Sequence, residues 1–389
     1  MNIGLPDIFF IIVLFQLLFL SFFLFTHEKG RRVSNILLGM FFFSICLNLM
    51  DVFLLVKKVY FSSPGWALWG SNLALVFGPL LYLYTQSVLY KDFAMKGKKW
   101  LHFLPFIILF LGTEISYLLQ SHEVQLSILQ GIINRSISRS FLLASLLIFL
   151  QFFIYVTASL LLIRRYKKLA IEKYSDRQRT NLSWLYSTII FFTFLMLMSA
   201  LNSLSAWTSL AKYYYIAITF ILLGMIVFIS RVLLKALRTP ELFSLIEENE
   251  PAPVENIPVT AKYAGSGLAH EGKQKVLQQV QQYMETQKPF LEPELTIDQL
   301  AEMLSLKPKI LSQVINELLH QNFFDFVNRF RVEEAKRLLT NPADKKITVL
   351  EVLYEVGFNS KSSFNTLFKK YTGLTPSEFK KKHMAGDPV

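Results

Sequence analysis

The sequence predicts an all-α protein, in which a seven-helix transmembrane bundle is followed by a small helical domain with two helix-turn-helix units. The composition is the first observation: 53% of the 389 residues are apolar and only 17% are charged, which is unlike a soluble protein. The second is a set of seven apolar runs before Arg238, each near the roughly 20 residues that cross a bilayer. The third is a helical pattern that occurs twice after residue 272.

The seven apolar runs lie close together in residues 1–238, which we interpret as a membrane sensory domain. They cover residues 5–26, 35–56, 66–90, 101–120, 141–163, 184–206 and 213–230. No lysine or arginine precedes the first run, and no small-residue cleavage site follows it. We therefore expect a retained span there rather than a signal peptide.

Lysine and arginine are distributed unevenly among the loops between the runs. The first, third and fifth loops, with the segment after the last run, contain 17 of them, whereas the other loops contain 5. Because cytoplasmic loops carry the excess of positive residues, we expect an outer amino terminus and a cytoplasmic carboxyl terminus in a bacterial inner membrane. Most of the net charge of +12 is then orienting charge, and it does not by itself indicate nucleic-acid binding.

Three polar side chains within the apolar runs, Asn48, Asp51 and Glu114, are candidates for a signal-sensing site. Asn48 and Asp51 are three residues apart on one helical face, and ionisable groups inside a membrane are costly enough to suggest a function. Placement at the membrane interface or a structural contact within the bundle is the competing interpretation for Asp51 and Glu114. The single cysteine, Cys46, excludes an intramolecular disulfide and a cysteine-based metal site.

Residues 239–272 have a different composition, with four prolines and a run of glutamates. Such a segment cannot build a core, so we expect an acidic linker. As a flexible coil it would span on the order of 30 Å.

The tail, residues 273–389, contains the repeated helical pattern. The first copy begins with the capping box Thr296-Ile-Asp-Gln299 and the second, 52 residues later, with Thr348-Val-Leu-Glu351. In each copy a turn leads to a second helix, predicted at residues 308–319 and 360–371. The predicted ranges are 296–319 for the first unit, 348–371 for the second unit and 322–339 for a connector helix between them.

A set of residues in the tail carries a resemblance to a known family, and the last group of them, from Gly357 to Pro376, matches its signature in order and spacing. The set is Leu300-Ala301, Leu311-Ser-Gln-Val-Ile315, Arg331, Ala335, Leu338, Leu339, Gly357-Phe358, Phe364, Phe368, Gly373 and Thr375-Pro376. In these residues the tail resembles the DNA-binding domain of the AraC/XylS family of transcription regulators. Two positions depart from the family pattern, since Leu353 stands where a small residue is usual and Lys307 where a small polar cap is usual. The first 238 residues lack the sugar-pocket barrel of the best-known members, so nothing about their ligands transfers.

The resemblance implies that the second helix of each unit reads DNA, often in dimers on repeated sites. The amides of Gln313, Asn316 and Asn365 would then pair with base edges, and the expected outward lysines would neutralise phosphates. For each of these side chains a merely solvated helix face is the alternative. The candidate DNA-binding residues are Lys309, Ser312, Gln313, Asn316, Lys361, Ser362, Asn365, Thr366, Lys369 and Lys370.

These observations imply a membrane-bound, sequence-specific DNA-binding transcription regulator that couples a membrane or extracytoplasmic signal to promoter binding. The implied partners are double-stranded DNA, membrane lipid, a second copy of the chain on DNA, RNA polymerase and a signal ligand of unknown identity. We expect no cofactor, no metal and no catalytic residue, because the sequence has no Walker loop, dinucleotide fingerprint, zincin motif or clustered triad.

Two alternative functions remain open from the residues alone. One is a seven-span receptor whose helical tail binds a cytoplasmic protein, which the Lys, Asn, Ser, Thr and Gln residues of the reader helices disfavour. The other is a membrane-buried enzyme that uses Asp51 or Glu114, because such a catalyst would leave no short motif.

Overall fold

A computed structural model describes residues 4–28, 31–90, 93–134, 139–176, 182–205, 208, 213–238, 270–340 and 347–384. Within these ranges the chain is helical and contains no strand, so the predicted all-α class is confirmed. One isolated antiparallel bridge, between Tyr174 and Thr296, lies in the described residues. The predicted linker falls largely outside them.

The chain divides into two compact units, each of which is described by itself. The bundle unit comprises Met1–Ile163 and Ser183–Ala252, and the C-terminal unit comprises Arg164–Leu182 and Pro253–Val389. Residues 164–182, which the sequence places in the fifth loop of the membrane region, are thus grouped with the C-terminal unit.

Among the described residues before the linker are eight α-helices, seven of which follow the predicted apolar runs closely. They are α1 (Leu5–Thr26), α2 (Arg32–Val56), α3 (Ala74–Leu89), α4 (Leu104–Leu118), α5 (His122–Ile133), α6 (Arg139–Lys173), α7 (Ser183–Leu204) and α8 (Tyr214–Arg238). Seven helical segments in the described residues are long and apolar enough to cross a membrane: Leu5–Thr26, Arg32–Val56, Pro64–Leu89, Gly97–Leu118, Leu143–Lys173, Trp184–Leu204 and Ile216–Leu234. Helix α5 is too short to be one of them and has no counterpart in the sequence prediction.

Aromatic side chains fill much of the bundle interior. Phe41 contacts Phe192 edge-on with ring centroids 4.8 Å apart, and Phe191 stacks on Phe228 at 3.8 Å. Large apolar side chains such as Phe15 also remain exposed along the outer faces of the helices. A soluble protein rarely exposes so much contiguous apolar surface, whereas lipid tails cover it at no cost.

In the described part of the C-terminal unit, seven further α-helices follow the linker. They are α9 (His270–Gln287), α10 (Ile297–Met303), α11 (Pro308–Leu318), α12 (Phe323–Thr340), α13 (Val349–Glu355), α14 (Lys361–Thr372) and α15 (Pro376–Met384). The capping boxes predicted for α10 and α13 are both present, with Gln299 and Glu351 each accepting the backbone N–H of the capping threonine. Such caps stabilise short helices by about 1 kcal/mol each.

Helix α12 joins two hydrophobic cores, each of which is built around one helix-turn-helix unit. Its first half contributes Phe326 and Val327 to a core with α9, α10 and α11. Its second half contributes Ala335 and Leu339 to a core with α13, α14 and α15. One continuous helix therefore holds the two units at a fixed separation, as the sequence predicts for the connector.

Candidate nucleic-acid interface

The two helix-turn-helix units make the same turn 52 residues apart. In the first, Ser305 has a φ of 55° and the N–H of Leu306 donates to the Ala301 carbonyl at 2.8 Å. In the second, Gly357 has a φ of 84° and the N–H of Phe358 donates to the Leu353 carbonyl at 3.0 Å. A left-handed residue between the helices thus aims α11 and α14, the predicted readers, in the same way within each unit.

On α11, the predicted contact residues differ in how far they reach solvent. Lys309 is exposed, while Ser312 and Asn316 are half-buried. The side-chain amide of Asn316 donates to the Ser312 carbonyl at 2.8 Å and to its hydroxyl at 3.3 Å. These bonds lie within one helical turn, so DNA can replace them without a change in the fold.

Gln313 does not face solvent, and the expectation that it does is wrong. It is buried, and its amide donates to Glu317 at 2.8 Å. Glu317 also forms an ion pair of 2.8 Å with Lys273 of α9, a helix that the sequence analysis did not identify. The hydrogen bonds from Lys273 and Gln313 lower the pKa of the Glu317 carboxyl. Gln313 therefore belongs to the contact between α9 and α11, and its predicted pairing with a base stays a prediction.

On α14, most of the predicted contact residues are exposed, namely Lys361, Ser362, Thr366 and Lys369. Asn365 is half-buried on the same helix. The hydroxyl of Ser360 caps the helix by accepting the N–H of Ser363, and Gly373 ends it with a φ of 78°. The helix thus starts and stops at residues suited to those positions, and it presents three exposed cations, Lys361, Lys369 and Lys370.

Lys370 is exposed but has a partner within the protein. Its Nζ lies 2.7 Å from a carboxylate oxygen of Asp325, which also accepts the Tyr371 hydroxyl at 2.8 Å. Burial alone would raise the pKa of Asp325, but the hydrogen bonds from Lys370 and Tyr371 outweigh it and leave that pKa lowered. A phosphate must compete with Asp325 for Lys370, so this lysine is a weaker candidate than Lys361 or Lys369.

Arg331, one of the residues that carry the family resemblance, is buried on the connector helix α12, where it bonds to several backbone carbonyls. Its Nε donates to the Phe290 carbonyl at 2.7 Å and its Nη2 to the Glu292 carbonyl at 2.6 Å. Burial lowers the pKa of Arg331 to about 10, so the side chain is charged at neutral pH. Carbonyl groups stabilise this charge within the C-terminal unit.

The segment that Arg331 holds also contacts the turn of the second unit. A Cβ on Gly357 would lie 2.6 Å from the Leu291 carbonyl oxygen and 2.8 Å from that of Phe290. The same short segment therefore contacts the connector helix and the second turn. This close approach explains why the signature places a glycine at position 357.

The two departures from the family pattern are accommodated locally. Leu353 is buried in the second core. Lys307 is the capping residue of α11 and makes no side-chain capping hydrogen bond, as its long side chain predicts. Pro308 follows it at the first helical position, where a proline is favourable.

Two of the three candidate sensing residues of the bundle unit, Asp51 and Asn48, have hydrogen-bond partners in the structure. Asp51 is buried and accepts hydrogen bonds from the hydroxyls of Tyr60 at 2.9 Å and Ser71 at 3.3 Å. The amide of Asn48 donates to the Gly70 carbonyl at 2.9 Å. Both residues thus bind α2 to residues 59–73, which supports the interpretation of a structural contact within the bundle. Glu114 is half-buried on α4. The described residues contain no group of three or more acidic, histidine or cysteine side chains that could hold a metal ion.

The tail is similar in sequence to parts of known transcription regulators. Residues 300–382 match a family described as a helix-turn-helix domain. The chain is 37% identical over 82 residues to the transcriptional regulatory protein YesN of Bacillus subtilis, a match that covers 21% of this chain and 22% of YesN. It is 27% identical over 88 residues to the Msm operon regulatory protein of Streptococcus mutans, covering 23% of this chain and 31% of that protein.

One solved structure is also similar, the C-terminal domain of AraT, a response regulator from Geobacillus stearothermophilus. It is 29% identical, covers 28% of this chain and 84% of that one, and has a TM-score of 0.24. The chain covers less than a third of each of the two curated relatives. The similarity lies in the tail, which matches a helix-turn-helix domain and is similar to parts of transcription regulators.

Proposed function

We propose that this protein is a membrane-bound transcription regulator whose tail binds specific DNA sequences and whose helical bundle receives a signal. One observation supports this most directly: two reader helices, α11 and α14, are held by a single connector, and the described part of the chain also contains seven apolar helices long enough to span a bilayer. Two such helices on one rigid connector can enter successive faces of the major groove, about 34 Å apart. The proposed function requires no catalysis.

The proposed roles follow from side-chain chemistry and exposure. Lys309, Lys361 and Lys369 neutralise phosphates and make binding dependent on salt. Asn316 and Asn365 read base edges in the major groove. Ser312, Ser362 and Thr366 contact phosphates or bases according to the register of each helix.

DNA binding is tested with the full chain in lipid nanodiscs and with a library of genomic fragments at several salt concentrations. A variant with Asn316→Ala, Lys361→Ala and Asn365→Ala is expected to lose selectivity among the fragments. The matched control is Lys336→Ala, which removes a half-buried cation, paired with Glu333, from the connector rather than from a reader helix. If the folded parent binds no DNA at low salt, a receptor whose tail binds a cytoplasmic protein becomes the better account.

The proposed orientation places the amino terminus outside the bacterial inner membrane and the tail in the cytoplasm. It is tested in a Cys46→Ala background with single cysteines at two exposed positions, His122→Cys and Lys168→Cys. A maleimide that cannot cross the membrane is expected to label the first in intact spheroplasts and the second only after lysis. The opposite pattern contradicts the orientation.

In this proposal, regulation depends on a second copy of the protein that binds DNA beside the first. The signal changes the packing or association of two bundles and thereby the spacing of two tails on repeated half-sites, where they meet RNA polymerase. Finding that the full protein and a tail fragment respond identically to every inducing condition would refute this coupling.

A further inference from the structure

The three residues that follow helix α6 lie against the tail, 120 residues away in the chain. Tyr174 pairs with Thr296 in an antiparallel bridge. The Leu295 carbonyl accepts both the backbone N–H of Ser175, at 3.3 Å, and its hydroxyl, at 2.7 Å. Ser175 is 1% exposed and Tyr174 5% exposed. Residues that the sequence assigns to a loop of the membrane region are thus buried in the C-terminal unit.

Two buried polar side chains of the connector helix receive this segment. The amide of Asn328 donates to the Ser175 carbonyl at 2.9 Å. The guanidinium of Arg331 donates to the same carbonyl at 3.4 Å and to the Ser175 hydroxyl at 3.2 Å. Asn328 and Arg331 are almost completely buried, at 0% and 1% exposed. Both side chains also bond within the tail, Asn328 to the Phe324 carbonyl at 2.8 Å and Arg331 to the Glu292 carbonyl at 2.6 Å. Buried polar groups are costly unless they are paired, and Ser175 adds further partners to this polar cradle.

An ion pair lies beside the cradle. Lys173, the last residue of α6, is 3.0 Å from Asp298 in the first turn of α10. Both side chains are partly exposed, at 22% and 50%, and exposed ion pairs stabilise little. The pair therefore orients the segment, while the hydrogen bonds of Ser175 supply most of its specificity.

The docked segment contacts the parts of the tail that position the two units and leaves the reader helices uncovered. Asn328 and Arg331 belong to the connector α12, and Leu295 and Thr296 lead into α10. Arg331 also holds the Phe290 carbonyl, which lies at the turn of the second unit. The segment thus contacts residues that position both helix-turn-helix units, and it does not block the surface that would face DNA.

We propose that residues 173–176 are an internal docking segment for the DNA-binding domain, that the Asn328–Arg331 cradle is its receptor, and that docking restrains DNA binding. The inference rests on the proposed function. Helix α6 also carries the fifth apolar segment, so a movement of that helix reaches the tail through this contact. With the segment docked, the tail is attached at two points, here and through its covalent connection at His270. Release leaves one attachment, and the two tails of a dimer gain the freedom to occupy separate half-sites.

The contact itself is tested with a cysteine pair in the full chain, in a Cys46→Ala background. Tyr174→Cys and Thr296→Cys replace directly opposed bridge residues, whose Cβ atoms lie about 4.5–5.5 Å apart, close to disulfide geometry. A protease site placed in residues 251–258 allows the linker to be cut after oxidation. We expect the tail to remain joined until reductant is added. The control pair, Tyr174→Cys with Lys336→Cys, is expected to release it, and equal release from both pairs overturns the docking.

The restraint is tested by changing the segment and leaving the tail sequence intact. Ser175→Leu removes the hydroxyl and is too large for the buried site, whereas Ser175→Thr keeps the hydroxyl. Lys168→Leu changes an exposed position of the same helix and serves as the control. In nanodiscs we expect Ser175→Leu to bind DNA roughly three- to tenfold more tightly than the parent, Ser175→Thr and Lys168→Leu. The oxidised cysteine pair is expected to bind more weakly and to recover with reductant.

The outcomes separate this inference from the proposed function. Binding of DNA without formation of the disulfide overturns the docking and leaves the proposed function standing. Formation of the disulfide without DNA binding by any variant contradicts the proposed function, and the restraint with it. Unchanged or weaker DNA binding by Ser175→Leu, in a chain that forms the disulfide and binds DNA, overturns the restraint.

Discussion

The two helix-turn-helix units share a fold but differ in the residue that makes the turn. Ser305 takes the left-handed conformation in the first unit and Gly357 takes it in the second. The second turn lies close to another backbone segment, because a Cβ at Gly357 would overlap the carbonyls of Phe290 and Leu291, whereas Ser305 is exposed. A left-handed turn therefore tolerates a side chain where it has space, and it requires glycine where the chain passes close by.

The two reader helices also differ in how much of their surface is covered by other elements. Helix α11 is supported by α9, which draws Gln313 into a buried contact with Glu317. Helix α14 has no such cover over Lys361 or Lys369, which are both exposed. We therefore expect the second unit to supply more of the charge that meets DNA, and the first unit to depend more on packing for its position.

Exchange of the turn residues is expected to have the largest effect. Gly357→Ser combines a left-handed non-glycine residue with an overlap against backbone atoms, and should destabilise the tail by about 2–4 kcal/mol. Urea unfolding of a fragment of residues 270–389 measures this, since both cores are formed by residues of that range.

The reverse exchange, Ser305→Gly, is the matched control for that experiment. It relieves the strain at φ 55° but adds the conformational entropy of glycine to the unfolded chain. We expect a change between about 0 and 1 kcal/mol in favour of folding. Equal destabilisation by the two exchanges would contradict the difference between the turns.

Substitution of one amide side chain on each reader helix should separate an effect on folding stability from an effect on sequence discrimination. Asn365→Ala is expected to reduce discrimination between cognate and mismatched sites by about 1–3 kcal/mol with little effect on stability. Gln313→Ala removes a buried hydrogen bond to Glu317 and should instead lower the free energy of unfolding by about 1 kcal/mol. Competition binding and urea unfolding of both variants give the two quantities. The comparison fails if Gln313→Ala changes discrimination alone.

Substitution of the reader lysines should show how charge is shared between the units. Lys361→Ala with Lys369→Ala is expected to reduce the slope of log binding constant against log salt by about 2, and Lys309→Ala by about 1. Fluorescence anisotropy at four or five salt concentrations measures the slopes. A larger reduction from Lys309→Ala would place the main phosphate contacts on the first unit.

The smallest effect is expected from Asp325→Asn, which removes the carboxylate that forms an ion pair with Lys370. The released lysine can contact phosphate, so the salt slope should become steeper by up to about 1. The pKa of Asp325 is lower in the folded protein than the usual value of 3.8. Its stabilisation is therefore complete above pH 3.8 and is lost as the pH falls through the lower folded pKa. Parent and variant should differ in thermal stability at pH 6 and converge in strongly acidic solution.

The elements that the sequence predicts best are those with local signals. The seven apolar runs, the capping boxes at Thr296 and Thr348 and the connector helix all depend on spacing within about 20 residues, and the structure contains each of them close to its predicted bounds. The pattern also locates the reader helices, because a capped helix followed by a turn leaves few places for the next helix to start.

The features that the sequence analysis missed depend on contacts between distant residues. Helix α9 has a detectable signal, because Val276, Val280, Tyr283 and Met284 follow helical spacing, but the burial of Gln313 requires knowing that α9 packs on α11. The docking of Ser175 joins residues more than 100 positions apart through a few individual hydrogen bonds. No periodic pattern accompanies such a contact, so the residues alone give no reason to expect it.

The contact of Ser175 with its cradle joins two parts of one polypeptide, and this sets how strong it needs to be. The effective concentration of a segment held on the same chain is typically on the order of millimolar. A three- to tenfold gain in DNA binding on release requires the contact to be docked for roughly 70–90% of the time, so its intrinsic Kd must lie a few-fold below that concentration. A few hydrogen bonds suffice for such a balance, and a much tighter contact would respond poorly to the bundle. A free peptide of residues 170–178 should accordingly compete only at millimolar concentrations.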